Sequence, residues 1–155
     1  MRLGELDGPT PHQADGSLDQ DEYDLVQRYN VEVSAGHGAW PDQERVVESM
    51  AFRRSWLHKL GLQTKNLVLV TARGDSMEPT FYDGDLLLID LSQKNVVDGG
   101  ISVIRNDGLL LAKRFQAGIG EQVFIRSDNP RYVSLEISKE KLNIVGRVVW
   151  RGGKM

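Results

Sequence analysis

Ile101-Ser102-Val103-Ile104-Arg105-Asn106-Asp107-Gly108-Leu109-Leu110-Leu111-Ala112-Lys113-Arg114-Phe115 is the stretch that decides the fold. Two aliphatic runs flank Asn106-Asp107-Gly108. Asp-Gly between such runs is a strong hairpin signal, because both residues tolerate the backbone that a two-residue turn needs. The hairpin puts Lys113 on a strand. Period-two alternation aligns it with Leu109 and Leu111 on one face. If that face is the core side, Lys113 is drawn inward, and burial disfavours its ammonium form.

The neighbouring sequence repeats the pattern. Residues 67–71 and 86–90 read as buried strands, the second following an Asp83-Gly84-Asp85 turn. Residues 123–126 and 143–151 supply two more. Many short strands between turn signals predict a mostly β, twisted barrel-like or sandwich fold. One helix is expected over residues 48–61, where Phe52, Trp56, Leu57 and Leu60 share a face and Gly61 is a natural stop. Arg53, Arg54, His58 and Lys59 cluster there, but no partner helix lies at helix-turn-helix spacing.

The chemistry lies in Gly74-Asp75-Ser76-Met77-Glu78-Pro79-Thr80. Gly74 allows a sharp turn after the preceding strand, and Pro79 limits any helix running on from it. Ser76 therefore stands at a strand-to-turn corner, where the N–H groups of Ser76 and Met77 can face an oxyanion. A serine hydroxyl is a weak nucleophile until a base takes its proton. A lysine held neutral by burial can serve, and Lys113 is such a lysine. The three histidines offer less. None has metal-ligand spacing, and no metal or cofactor is expected. A triad using His37 stays open, although His37 lies in the segment that a Ser76 nucleophile would be expected to cut. Asp75 reads as a turn-stabilising residue and Asp128-Asn129-Pro130 as a turn.

The motif around Ser76, then Asp83-Gly84-Asp85 before an aliphatic strand, Ala112-Lys113-Arg114, Ser127-Asp128-Asn129-Pro130 and Ile144-Val145-Gly146-Arg147-Val148-Val149-Trp150 together resemble the LexA and phage-repressor family of self-cleaving proteins. The resemblance covers roughly residues 65 to 151. It implies a LexA/signal-peptidase-like β-fold, with Ser76 as nucleophile, Lys113 as general base and Met77 at the oxyanion. The substrate it implies is a peptide bond of the chain itself, cut after a small residue and before glycine. Of the two Ala-Gly pairs, Ala35-Gly36 and Ala117-Gly118, Ala35-Gly36 is the one upstream of Ser76, and the alternation of Val31, Val33 and Ala35 suits an extended strand. The implied partners are a second copy of the chain, the RecA filament on single-stranded DNA as trigger, and operator DNA bound through an N-terminal domain absent from this chain.

Composition sets the frame. The 155 residues carry a net charge of −3, no cysteine and no run of eighteen apolar residues. One domain with a modest core is expected, without disulfides or a transmembrane helix, in the cytoplasm. Residues 1–30 hold seven acidic and two basic residues, interspersed with glycine and proline. Residues 1–22 are therefore expected as a flexible acidic linker, 23–66 as the cleavage-site segment with the short helix, and 67–155 as the peptidase and dimerisation domain. The expected function is the C-terminal domain of a LexA-like or phage-type repressor that cuts itself on SOS induction. A stand-alone UmuD-like protein and a dimerising module that does not cut are the alternatives.

Overall fold

The computed structural model describes residues 21–34 and 45–155. The chain forms β1 (Tyr23–Ser34), β2 (Val46–Arg53), α1 (Arg54–Lys59), β3 (Leu67–Arg73), β4 (Leu86–Asp90), β5 (Ile101–Asn106), β6 (Leu109–Ala117), β7 (Gln122–Arg126), β8 (Leu135–Ser138) and β9 (Ile144–Gly152). The protein is mostly β, as the turn and strand signals predict. The nine strands among the described residues belong to one sheet, ordered β2-β1-β3-β4-β9-β5-β6-β7-β8. The ladder does not close into a barrel; it ends on β2 and β8. It nevertheless curls, because β1 packs against β6 across the sheet.

The decisive hairpin forms as read. Asn106 pairs with Leu109, so Asp107 and Gly108 make a two-residue loop, with φ of 48° and 78°. Its register sets Ser102 beside Lys113. β1 and β3 run parallel to each other, whereas β1 is antiparallel to β2 and β3 to β4. Val31 and Val33 on β1 enter the main core with Val70, Leu87, Leu110 and Ala112. Val26 enters a second core with Leu57, Leu69 and Leu88.

The helix is shorter than its periodicity suggests. Residues 46–53 are the edge strand β2, and only Arg54–Lys59 are helical. A single six-residue helix is too short to persist alone. Burial of Leu57, with no exposed surface, holds it to the sheet. The apolar spacing that suggested a longer helix is partly real across the junction: the rings of Phe52 and Trp56 stack with centroids 5.8 Å apart. Arg54 binds Asp24 through Nε and Nη2, and its Nη1 donates to the Asp21 carbonyl, tying the start of the described chain to the helix.

Candidate active site

Ser76 lies in the turn that leaves β3. Gly74 has a φ of 84°, the left-handed value that lets the backbone reverse there. Asp83 braces the reversal by accepting the Gly74 N–H at 2.9 Å. The Ala72 N–H donates to the Asp85 carbonyl, and the Gly84 N–H to the Ala72 carbonyl. The Asp83-Gly84-Asp85 turn is thus bonded to the end of β3 on both sides. Met77 is 2% exposed and belongs to the main core, so the residue after Ser76 anchors the turn. Ser76 itself is 3% exposed.

Lys113 lies on β6 on the face it shares with Leu109 and Leu111, as alternation reads it, and further along that face Phe115 is fully buried with Leu111 packed against its cluster. Leu110 and Ala112 point into the main core; Leu109, Leu111 and Lys113 are half-buried. The lysine is covered by a different element. Residues 127–132, which follow β7, pass over it: Lys113 Nζ donates to Ser127 Oγ at 2.7 Å and stands 5.8 Å from the centre of the Tyr132 ring. Burial pushes the Lys113 pKa below its ordinary value.

The same segment grips the Ser76 turn. The Asn129 N–H donates to the Ser76 carbonyl at 2.9 Å, and Asn129 Nδ2 donates to the Asp75 carbonyl at 2.9 Å. Tyr132 Oη donates to the Asp75 carboxylate. Asp128 binds both sides together: Arg114 reaches it with Nε at 2.7 Å and Nη2 at 2.6 Å, and Thr80 donates to it from the Ser76 turn. Residues 127–129 therefore connect Ser76 and Lys113, which are thirty-seven positions apart in the chain. Sequence reasoning noted these residues but read Asp128 and Asn129 as part of a turn; their bonds to both motifs are the part it missed.

Ala35, Gly36 and His37 lie outside the described residues. The strand that precedes them does not. β1 runs parallel to β3 with Val33 beside Ala72 and Ser34 beside Arg73, three residues before Ser76. Among the described residues no cluster of acidic or histidine side chains could hold a metal ion. No helix among them is long and apolar enough to cross a membrane.

A family model described as Peptidase S24-like matches residues 26–149. The chain is 28% identical over 135 residues to the repressor protein CI of Enterobacteria phage phi80, covering 86% of this chain and 57% of that one. It is 28% identical over 146 residues to the HTH-type transcriptional regulator PrtR of Pseudomonas aeruginosa, covering 90% and 57%. It is 30% identical over 138 residues to the 26 kDa repressor protein of Escherichia phage HK022, covering 84% and 58%. The chain thus spans little more than half the length of the curated relatives it matches.

Proposed function

Since this chain belongs to the Peptidase S24-like family, we propose that it is the self-cleaving and dimerising part of a phage-type or SOS-type repressor. Ser76 is the nucleophile, Lys113 the general base, and the bond after Ala35 the substrate. The observation that carries this reading is the joint grip of residues 127–129, with Asn129 on the Ser76 backbone and Ser127 on the Lys113 amine. The register of β1 supports the choice of bond, since Ser34 pairs with Arg73 and the chain leaves β1 beside the Ser76 turn.

The steps follow from the groups present. Neutral Lys113 takes the Ser76 proton, and Ser76 Oγ adds to the Ala35 carbonyl carbon. The N–H groups of Ser76 and Met77 meet the oxyanion. Lys113, now an ammonium, gives its proton to the nitrogen of Gly36 as the C–N bond breaks. Water then cleaves the Ser76 ester, with Lys113 again as base. A tethered substrate has a high effective concentration, so control lies in docking of the scissile segment. A RecA filament on single-stranded DNA would trigger cutting by favouring the docked form. Cutting would part an operator-binding arm from the dimerising unit and weaken operator binding. The relatives that are repressors favour this output over a stand-alone mutagenesis protein.

The test is intact mass after incubation at mildly alkaline pH, beside Ser76→Ala and Lys113→Ala. Fragments 1–35 and 36–155 from the parent alone are expected. Their rate should rise with pH and level off once Lys113 is neutral, at a pH below that of an ordinary lysine because burial lowers its pKa. Fragments persisting in either variant would remove that residue from the mechanism.

A further inference from the structure

Residues 127–132 do more than pack. They supply a hydroxyl to Lys113 from a position that neither strand-to-turn corner nor hairpin explains. Ser127 is buried, 6% exposed, and its Oγ is the hydrogen-bond partner of Lys113 Nζ. A neutral amine has two N–H donors and one lone pair. An amine on a four-carbon stem can rotate that lone pair away from any neighbour. Donating one N–H to a fixed oxygen removes most of this freedom.

The oxygen is fixed. Asp128, the next residue, is held by Arg114 and by Thr80. Asn129, the one after, is held to the Ser76 carbonyl and the Asp75 carbonyl. Ser127 is thus set in one frame with the Ser76 turn. We infer that Ser127 is a positioning residue, which orients the Lys113 amine so that its lone pair faces Ser76. This inference rests on the Ser76–Lys113 reading and adds a third side chain to it.

Several of the charges around Lys113 have a bound partner. On β6 and its loop, Arg114 is bound to Asp128, with Arg126 of β7 in register opposite Arg114. On the Ser76 turn, Asp75 is bound to Tyr132. On β1, Glu32 is bound to Arg73. β5 presents Ser102 in register with Lys113. Ser127 is the side chain hydrogen-bonded to the amine, so it is the polar group whose removal Lys113 should register.

Two arms test it. In the first, self-cleavage is followed from pH 7 to 11 in the parent, Ser127→Ala and Ser127→Thr, with Ser76→Ala and Lys113→Ala as references. Ser127→Ala should lower the plateau rate about tenfold or more, within the range set by proton-transfer catalysis. Ser127→Thr, which keeps the hydroxyl, should recover most of it. In the second arm, Lys113 is titrated by NMR of labelled lysine in the uncleavable Ser76→Ala background, with and without Ser127→Ala. A hydroxyl oxygen that accepts from nitrogen favours the ammonium. Its loss should therefore move the midpoint down by about half a pH unit or more.

A merely structural role would lower rates at every pH without moving that midpoint. An unchanged midpoint overturns the inference, whether or not the plateau rate falls. So does a Ser127→Thr variant no better than Ser127→Ala. If the parent cuts independently of Ser76 or Lys113, the underlying dyad reading fails instead, and the reference variants reveal that directly. The titration needs no cleavage, so it decides the role of Ser127 even where the parent stays intact.

Discussion

Asp128 is the single residue on which the geometry of the site most depends. Burial pushes its carboxyl pKa up, but hydrogen bonds from Arg114 and Thr80 outweigh that, and the net direction is down. A carboxylate whose pKa is depressed in the folded chain adds stability above its unfolded value of about 4, and the contribution is lost as pH falls through the folded pKa. Asp128→Ala should therefore cost about 2 kcal/mol near neutral pH, because partly buried Arg114 loses its carboxylate. Urea melts would show the gap between parent and variant narrowing below about pH 4. A gap of the same size at pH 3 and pH 7 would mean that charge at Asp128 is not what holds the segment. Ser76 and Lys113 stand out in the sequence because each sits inside a local signal, a glycine-bounded turn and an apolar strand. Asp128 and Ser127 do not. Their partners lie 14 to 48 positions away, and such bonds leave no period in a sequence. The covering of Lys113 was missed for the same reason: it comes from a loop, whereas alternation reports only the faces of a strand.

Among the elements, the strands were the legible part. Residues 86–90 were expected as a strand and β4 is Leu86–Asp90; the Asp107-Gly108 hairpin also forms as read. The helix shows where local pattern loses to pairing. Residues 48–53 were expected within the helix, but β1 offers residues 46–53 an antiparallel partner from Tyr23 beside Arg53 to Tyr29 beside Val46. A ladder of backbone bonds over that length outweighs the small helix propensities of single residues. What is left of the helix depends on Leu57. Leu57→Ala should cost about 3 kcal/mol, the usual size for an aliphatic side chain removed from a filled core. The measurement is the midpoint of denaturant unfolding. A loss under about 1 kcal/mol would mean that the site collapses around the gap.

At the scale of the whole molecule, the open ladder matters more than the expected barrel. The sheet ends on β2 and β8, and the strand leading to Ala35 lies one place in from an end. That strand is not a tether laid on a finished domain. It carries Val26 into one core and Val31 and Val33 into another, and it pairs on both sides. Burial of three valines is worth about 1.5 kcal/mol each or more, before any backbone bond is counted. Were the bond after Ala35 cut, residues 23–34 would still be wedged in the sheet, and the two pieces should run together on a sizing column in native buffer and separate in urea. Immediate separation in native buffer would show that β1 adds little once its covalent link is gone. Breaking the bond would then be like starting a clock. The leader would depart only as fast as β1 unzips, and the delay between cutting and separation would be written in the packing of Val26, Val31 and Val33.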